Sequence, residues 1–447
     1  MKANKRTKFW LTLVIFSLVG QIAWVVENMY FNVFIYKMFN ASAMDISLMV
    51  ALSAISATIT TIFIGALSDK LGKRKLFMSL GYILWGVSIL SFALIRKDII
   101  SGIFGAAVSS SAVGVSLVII MDCVMTFFGS SANDACYNAW LTDSTDNTNR
   151  GKAEGINSMM PLVAILCVFG GFMGFNLDEA SSWTLIYIII GVVVLIIGVL
   201  GFFIIDEPKV EVEKELSYIK TIIYGFKPSV IKKERALYFT LIGFVVFNIS
   251  IQIFMPYLII YYEKTLEMPN YVLIMAPAII CAAVFTAIFS KQYDKFGFKV
   301  VYVPLATILA GYLILFLFPF VIKVEGILAT VIVFIGSLLM LSGFLSGMAI
   351  FGAKLRDTTP LNMAGRFQGL RIVGQVLIPG VVGPLIGARV LKNAEVIINS
   401  DGTESFLPNN MIFLVAMIVM FVLFISICLI DVIKKNKTKG DGEVNEI

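Results

Sequence analysis

The sequence predicts an all-α integral membrane protein with twelve transmembrane helices arranged as two six-helix bundles. Three observations carry this prediction: a composition too apolar for a surface in water, twelve long apolar runs divided six and six, and two short motifs that each occur twice. Hydrophobic residues occupy 59% of the 447 positions and charged residues only 14%, with a mean hydropathy of +0.91. Soluble proteins carry about 25% charged residues, so these charges are too few to cover a water-facing surface. Histidine is absent, which excludes Ser-His-Asp chemistry and His-ligated metals. The five cysteines, Cys123, Cys136, Cys167, Cys281 and Cys428, sit in apolar stretches without a metal-ligand spacing such as C-x-x-C. They read as small packing residues, and no metal site is expected.

A helix crosses the hydrocarbon core with about 20 apolar residues. The first run, 10–36, follows Lys2, Lys5, Arg6 and Lys8. It is too long for a signal peptide, is interrupted by Glu27, Asn28 and Asn32, and lacks a small-residue cleavage site, so it reads as an uncleaved first helix. Runs 44–67 and 76–95 flank a basic hinge, 113–141 and 152–175 flank a polar stretch, and 183–205 closes the first set. The second set is 238–262, 270–290, 299–321, 327–353, 367–390 and 410–431. The expected organisation is an N-terminal bundle over 1–205, a linker over 206–235, a C-terminal bundle over 236–433 and a tail over 434–447. The linker carries Lys209, Lys214, Lys220, Lys227, Lys232, Lys233 and Arg235 and reads as a solvated cytoplasmic segment.

Lysine and arginine in short loops set orientation. Besides the N-terminus and the linker, one side collects Lys70, Lys73, Arg74, Lys75, Arg150, Lys152, Lys291, Lys295, Arg356, Arg366 and the tail lysines. The other side holds scattered cations such as Lys37, Arg96, Lys97, Lys264, Lys323 and Lys392. Both termini are therefore expected in the cytoplasm, and the chain in the inner or plasma membrane.

The repeats follow from the loops. Gly65-Ala-Leu-Ser-Asp69-Lys-Leu-Gly72-Lys-Arg74-Lys follows the second run, and Ser290-Lys-Gln-Tyr-Asp294-Lys-Phe-Gly297 follows the eighth. Asp143-Ser-Thr-Asp-Asn-Thr-Asn-Arg150-Gly-Lys follows the fourth, and Asp357 through Gly365-Arg366 follows the tenth. The first pair is offset by 225 residues and the second by 214, which places about eleven extra residues in the first half, naturally over 98–113. Two six-helix halves in parallel repeat are a transporter design. The hinge resembles the loop 2–3 signature of the major facilitator superfamily, with Lys73 where arginine is usual, and the resemblance covers the whole chain. It implies the major facilitator fold and a secondary active transporter working by alternating access. The loop residues Gly65, Asp69, Gly72, Arg74, Asp143, Arg150, Asp294, Gly297, Asp357 and Arg366 would then gate the cycle. Gly72 and Gly151 are expected to make tight turns, and Asp69 to pair with a nearby arginine or to face the start of the eleventh helix, near Gly365.

Ionisable groups inside spans are functional candidates. Glu27 lies roughly 25 Å along the first helix, Asp134 roughly 13 Å inside the fourth, and Asp122 about 18 Å further on. Asp122 has two readings, hydration near the outer interface or cation and proton coupling together with Glu27 and Asp134. The resemblance implies that helices 1, 4, 7 and 10 line a central cavity, and three carboxylates fall on two of these. On a helical wheel Gln21, Trp24, Asn28, Phe31 and Asn32 share a face of the first helix, with Glu27 at its edge. Tyr137 and Asn138 on the fourth helix and Asn248, Gln252 and Tyr257 on the seventh add amides and rings. Such groups suit a hydroxylated ligand, amides for hydroxyls and rings for apolar sugar faces. They also suit bonding between helices.

The stretch Asp134 to Arg150 is weakly similar to the glycoside/cation symporter branch. That branch has a sodium-binding aspartate pair in the second helix, where this chain has Thr58, Thr60 and Thr61. The expectation is therefore symport of a small polar solute such as a sugar or glycoside, coupled to protons rather than sodium, with Glu27 or Asp134 as carrier. The rival is a proton-coupled drug or metabolite antiporter; its Gly-x-x-x-Gly-Pro run belongs in the fifth helix, but here the nearest match is in the eleventh. A membrane enzyme or a non-transporting receptor is the remote alternative, and no nucleophile–base pair or nucleotide loop supports it. The expected partners are the small-molecule substrate and the lipid bilayer, with no nucleic acid and no cofactor beyond the coupling ion, and the chain is expected to act as a monomer.

Overall fold

In lipid every backbone N–H and C=O must be satisfied within the protein, and long apolar segments achieve this as helices. A computed structural model of the chain describes residues 2–105, 109–145, 149–208, 224–321, 326–359, 364–399 and 402–443. Eleven helical stretches among them are long and apolar enough to cross a membrane. One of these, Val272–Pro319, runs for 48 residues and contains two long helices, Val272–Phe289 and one that starts at Tyr302, which brings the spans among the described residues to twelve.

The first half comprises α1 (Lys2–Val25, continued by Phe31–Phe39), α2 (Ala43–Leu71), α3 (Arg74–Phe92), α4 (Ser110–Gly129, continued by Asn138–Asp143), α5 (Arg150–Phe172) and α6 (Ala180–Ile204). The second half comprises α7 (Arg235–Phe254), α8 (Val272–Phe289), α9 (Tyr302–Val321), α10 (Ile327–Thr358), α11 (Ala364–Ile372, continued by Ile378–Val390) and α12 (Met411–Glu443). Packing repeats between the halves. α3 lies on α6 as α9 lies on α12, α2 on α4 as α8 on α10, and α1 on α5 as α7 on α11. The halves meet along α2–α11 and α5–α8.

Without a hydrophobic force between helices in lipid, close backbone approach does the joining. A Cβ at Gly198 would come within 2.5 Å of the Ile83 backbone nitrogen, and one at Gly380 within 2.6 Å of the Ala54 methyl across the α2–α11 seam. The outward faces are apolar: Ile189, Val193, Ile196 and Phe203 on α6 and Ile418, Phe421, Val422 and Leu429 on α12 are all exposed, which in water would be untenable and in lipid is solvation.

The start of α1 meets the end of α6, and Asp431 of α12 meets the start of α9; the end of the bundle that holds them and the basic loops is here termed the basic end, and the other the far end. Some elements differ from the sequence expectation. The region 98–113 contains a short helix, Lys97–Phe104. The connection between α11 and α12 carries a two-stranded hairpin, Val396–Ile398 against Glu404–Phe406. Gly72 and Gly297 turn the chain with positive φ of 61° and 64°, but Gly151 makes no turn and lies in the first turn of α5. Of the expected linker, 209–223 lies outside the described residues; the part that follows forms a turn at Tyr224–Phe226 and a short helix at Pro228–Lys233.

Candidate functional site

Two helices of the first half change winding where their acids sit. α1 passes through a π turn at Val26–Tyr30, which holds Glu27, and α4 through a π segment at Ser130–Tyr137, which holds Asp134. Such turns add a residue to the helical ladder, re-aim side chains and concentrate at functional sites. Sequence periodicity at 100° per residue cannot reveal them.

Glu27 is buried, and its Oε1 accepts from the Ser53 hydroxyl on α2 and the Thr126 hydroxyl on α4, both at 2.8 Å. The two hydroxyls are 2.7 Å apart. Its second oxygen, Oε2, has no hydrogen-bond partner. Asp122 lies one turn from Thr126 and is 2% exposed, with Oδ1 also unpartnered. Asp122 is thus buried in the protein and not hydrated at an interface. Asp134 is half-buried and accepts from the Ser130 hydroxyl at 2.9 Å. None of the three forms an ion pair among the described residues. Asp122, Thr126, Ser130, Asp134, Asn138 and Thr142 follow one another four residues apart, a polar stripe that runs along α4 to the basic end. The four-residue spacing is legible in the sequence, but Ser53, Thr126 and Ser130 carry no signal of their own there, because isolated hydroxyls are common in membrane helices.

The amide and aromatic candidates divide into two groups. Gln21, Trp24 and Gln252 are half-exposed, and Asn28 and Asn138 are exposed despite lying well inside helices. Trp24 gives its indole N–H to Asn133 Oδ1 at 3.4 Å, while Asn28 and Asn138 donate to the Trp24 and Asp134 carbonyls of their own helices. The others are buried and donate inside the protein, although Asn32 Oδ1 has no partner among the described residues. Asn32 donates to the Asn28 carbonyl, Asn248 to the Phe244 carbonyl, and Tyr137 to Asn157 at 2.9 Å. Tyr257 donates to the Ala43 carbonyl across the halves at 2.9 Å.

At the basic end Arg74 is buried and grips Asp69, Asp143 (Nε to Oδ2, 3.0 Å) and the Ser68 hydroxyl (2.6 Å). The signature loop is therefore tied within its own half, and Asp69 takes the nearby arginine, one of its two expected partners. The start of α11 meets the turn at Tyr224–Phe226, with Phe367 edge-on to Tyr224. In the second copy a hydroxyl replaces the ion pair: Tyr293 donates to Asp357 at 2.5 Å. Asp294 is exposed on the short helix Gln292–Phe296, while the side chains of Arg150 and Arg366 lie outside the described residues.

Polar contacts between the halves gather at the far end. The Lys37 ammonium, with a side chain only 5% exposed, lies 2.5 Å from Glu263 of the other half and 3.2 Å from Asp178; Lys264 lies 3.5 Å from Glu263. Tyr36 donates to the Phe406 carbonyl of the hairpin at 2.7 Å, Asn399 and Ser405 donate to Asn40 at 3.4 and 3.3 Å, and the Tyr271 hydroxyl donates to that of Tyr30 at 3.4 Å. Lys37 and Lys264, scattered cations in the sequence, are thus part of a network that joins the halves.

The family model of the Major Facilitator Superfamily matches residues 9–384. Solved transporters share the architecture at low identity. The xylose transporter XylE from E. coli, in an inward open conformation, has 14% identity and a TM-score of 0.67, over 94% of this chain and 95% of that one. A bacterial homologue of the human lysosomal transporter Spinster, inward-facing and occupied, has 16% identity and a TM-score of 0.65, over 94% and 95%. The nucleoside transporter NupG has 13% identity and a TM-score of 0.64, over 93% and 97%. At these identities the likeness concerns the fold. No curated protein sequence matches the chain.

Proposed function

The chain belongs to the major facilitator superfamily, a multi-pass membrane transporter rather than an enzyme, and from that premise we propose that it is a proton-coupled symporter of a small polar solute, with sugars and glycosides as the leading class. The observation that carries this reading is the set of carboxyls Glu27, Asp122 and Asp134 on α1 and α4, set in the membrane with no ion-pair partner among the described residues. Buried carboxylates cannot all remain charged in a low-dielectric interior, so they take up protons or cations, and their occupancy changes as access alternates. The solute would lie against Gln21, Trp24, Asn28, Asn138 and Gln252, which keep exposed surface and offer amides beside an indole. Asn32, Tyr137, Asn248 and Tyr257 would shape that site from behind, since they are buried and their donors are already engaged within the protein. The orientation that goes with this reading has the basic end in the cytoplasm, with Arg74, Asp69 and Asp143 holding the loops there.

The test is pH-gradient-driven uptake of a panel of labelled sugars into proteoliposomes, comparing the wild type with Glu27→Gln and Asp134→Asn. Accumulation that either substitution abolishes, while counterflow exchange survives, supports symport. Expulsion of a cationic dye with no sugar movement turns the assignment to drug antiport.

A further inference from the structure

A charged side chain inside a membrane span is costly and is kept where it pairs with an opposite charge or serves a pathway. Arg371 lies seven residues past the start of α11, roughly 10 Å inside the basic end. It is half-buried, its Nε is sealed from solvent, and that N–H has no hydrogen-bond partner among the described residues. The charge within its electrostatic reach is a second cation, Arg356, exposed near the end of α10. The α7 wall beside it is apolar, since a Cβ at Gly374 would come within 2.8 Å of Leu241 and 3.3 Å of Val245. The fold itself does not require a cation at this place. The match of Gly155 with Gly369 between the halves sets Asn157 of α5 in the position of Arg371. Asn157 is neutral, and its Oδ1 accepts from the Ser17 hydroxyl at 2.6 Å and the Tyr137 hydroxyl at 2.9 Å. In the first half the exposed Asn138 lies about 8 Å inside the same end. Arg371 is therefore at the depth of the residues that keep surface for a solute.

We propose that Arg371, aided by Arg356, holds a carboxylate or phosphate group of the transported solute, so that the substrate is an acidic sugar, either a sugar acid or a sugar phosphate. This rests on the polar-solute symport reading and narrows its substrate class. A guanidinium is a planar fork whose parallel N–H groups match two oxygens of a carboxylate or phosphate. Two arginines within reach of each other repel, and an anion between them removes the repulsion and satisfies the buried Nε–H together. Arg371 is the specificity-determining residue, because its desolvated donor is left unmet by a neutral sugar. Arg356, being exposed, contributes a salt-screened attraction that draws the anion to the basic end.

The experiment reads binding alone and needs neither a proton gradient nor transport. The purified full-length chain in a neutral detergent is titrated with labelled glucuronate, glucose 6-phosphate and glucose. At least one acidic sugar is expected to bind more tightly than glucose. Arg371→Gln should weaken that binding by about tenfold to a hundredfold, the loss expected for hydrogen bonds to a charged group, and leave glucose unchanged. Arg371→Lys, which keeps the charge but not the fork, should fall between. Arg356→Gln should weaken it by about threefold at low salt and not at all at high salt. In the absence of sugar, Arg371→Met should unfold at a temperature no lower than the wild type, because it removes an unbalanced charge. Acidic sugars that bind no more tightly than glucose, or equally to Arg371→Gln, overturn the proposal. So does a lowered midpoint in Arg371→Met, which would assign the guanidinium a partner within the protein. Displacement of the acidic sugar by phosphatidylglycerol also overturns it and gives the site to a lipid headgroup. If acidic sugars bind through Arg371 but no pH gradient drives their uptake, the symport reading falls and the anion site stands. If glucose accumulates under a pH gradient equally in the wild type and Arg371→Gln, symport stands and the anion site falls.

Discussion

Removal of the Glu263 charge should open the far end. Lys37 and Glu263 approach to 2.5 Å with side chains 5% and 11% exposed, so the pair is largely withdrawn from water. Breaking a buried pair by removing one partner costs about 3–5 kcal/mol, because the other charge is left uncompensated. Lys37 keeps Asp178 at 3.2 Å, a partner 60% exposed, so the lower bound applies. About 3 kcal/mol moves the balance between far-end-closed and far-end-open forms by roughly a hundredfold, enough to change which form dominates if the gap is a few kcal/mol. The assay is the distance between spin labels at Met44 and Ile398, both exposed on opposite halves at the far end, with the exposed Cys167 and Cys281 first replaced by serine. Glu263→Gln and Lys37→Met should each broaden the distribution toward longer distances. The double variant Lys37→Met with Glu263→Met should close it again, since no charge is then stranded. Unchanged distances in both single variants, or a double variant as open as the singles combined, would refute the argument.

Three further outcomes follow from the packing. Arg74→Ala strands Asp69 and Asp143 at the basic end and should lower thermal stability by about 2–4 kcal/mol, with Asp143→Asn milder because Arg74 keeps Asp69, as read by denaturation in detergent. Gly198→Val puts branched carbon against the Ile83 backbone and should cost about 1–3 kcal/mol or more through the α3–α6 seam, whereas Gly102→Ala on the short far-end helix, with open space around it, should be nearly silent in the same assay. Thr126→Val combined with Ser53→Ala takes both hydroxyls from Glu27, a loss of about 1–3 kcal/mol per bond to a charged acceptor; pH-driven accumulation should fall while counterflow exchange persists, and unaltered accumulation would show that Glu27 does not need them.

What the sequence determined by itself was whatever local composition and spacing control. Apolar runs of spanning length must become helices because lipid satisfies no backbone group. The Asp69/Asp294 and Asp143/Asp357 repeats encode two similar halves, and acids in apolar runs stand out because burying a charge is expensive. Long-range packing decided the rest. Glu27 meets Ser53 and Thr126 from positions 26 and 99 residues away, and Lys37 meets Glu263 from 226 residues away. Nothing in a single sequence specifies such pairings when the partners are ordinary serines, threonines and loop cations. The wheel placed Asn32 on a polar face of the first helix, but the π turn before Phe31 re-aims the chain and the buried Asn32 amide donates to the Asn28 carbonyl of its own helix. Tyr257, a candidate on the seventh helix, sits in the 3₁₀ turn at Met255–Tyr257 and donates to the Ala43 carbonyl of the other half. A helical wheel assumes constant winding, and this fold departs from it at Glu27 and at Asp134, because only the pull of neighbouring helices sets where a helix takes up an extra residue.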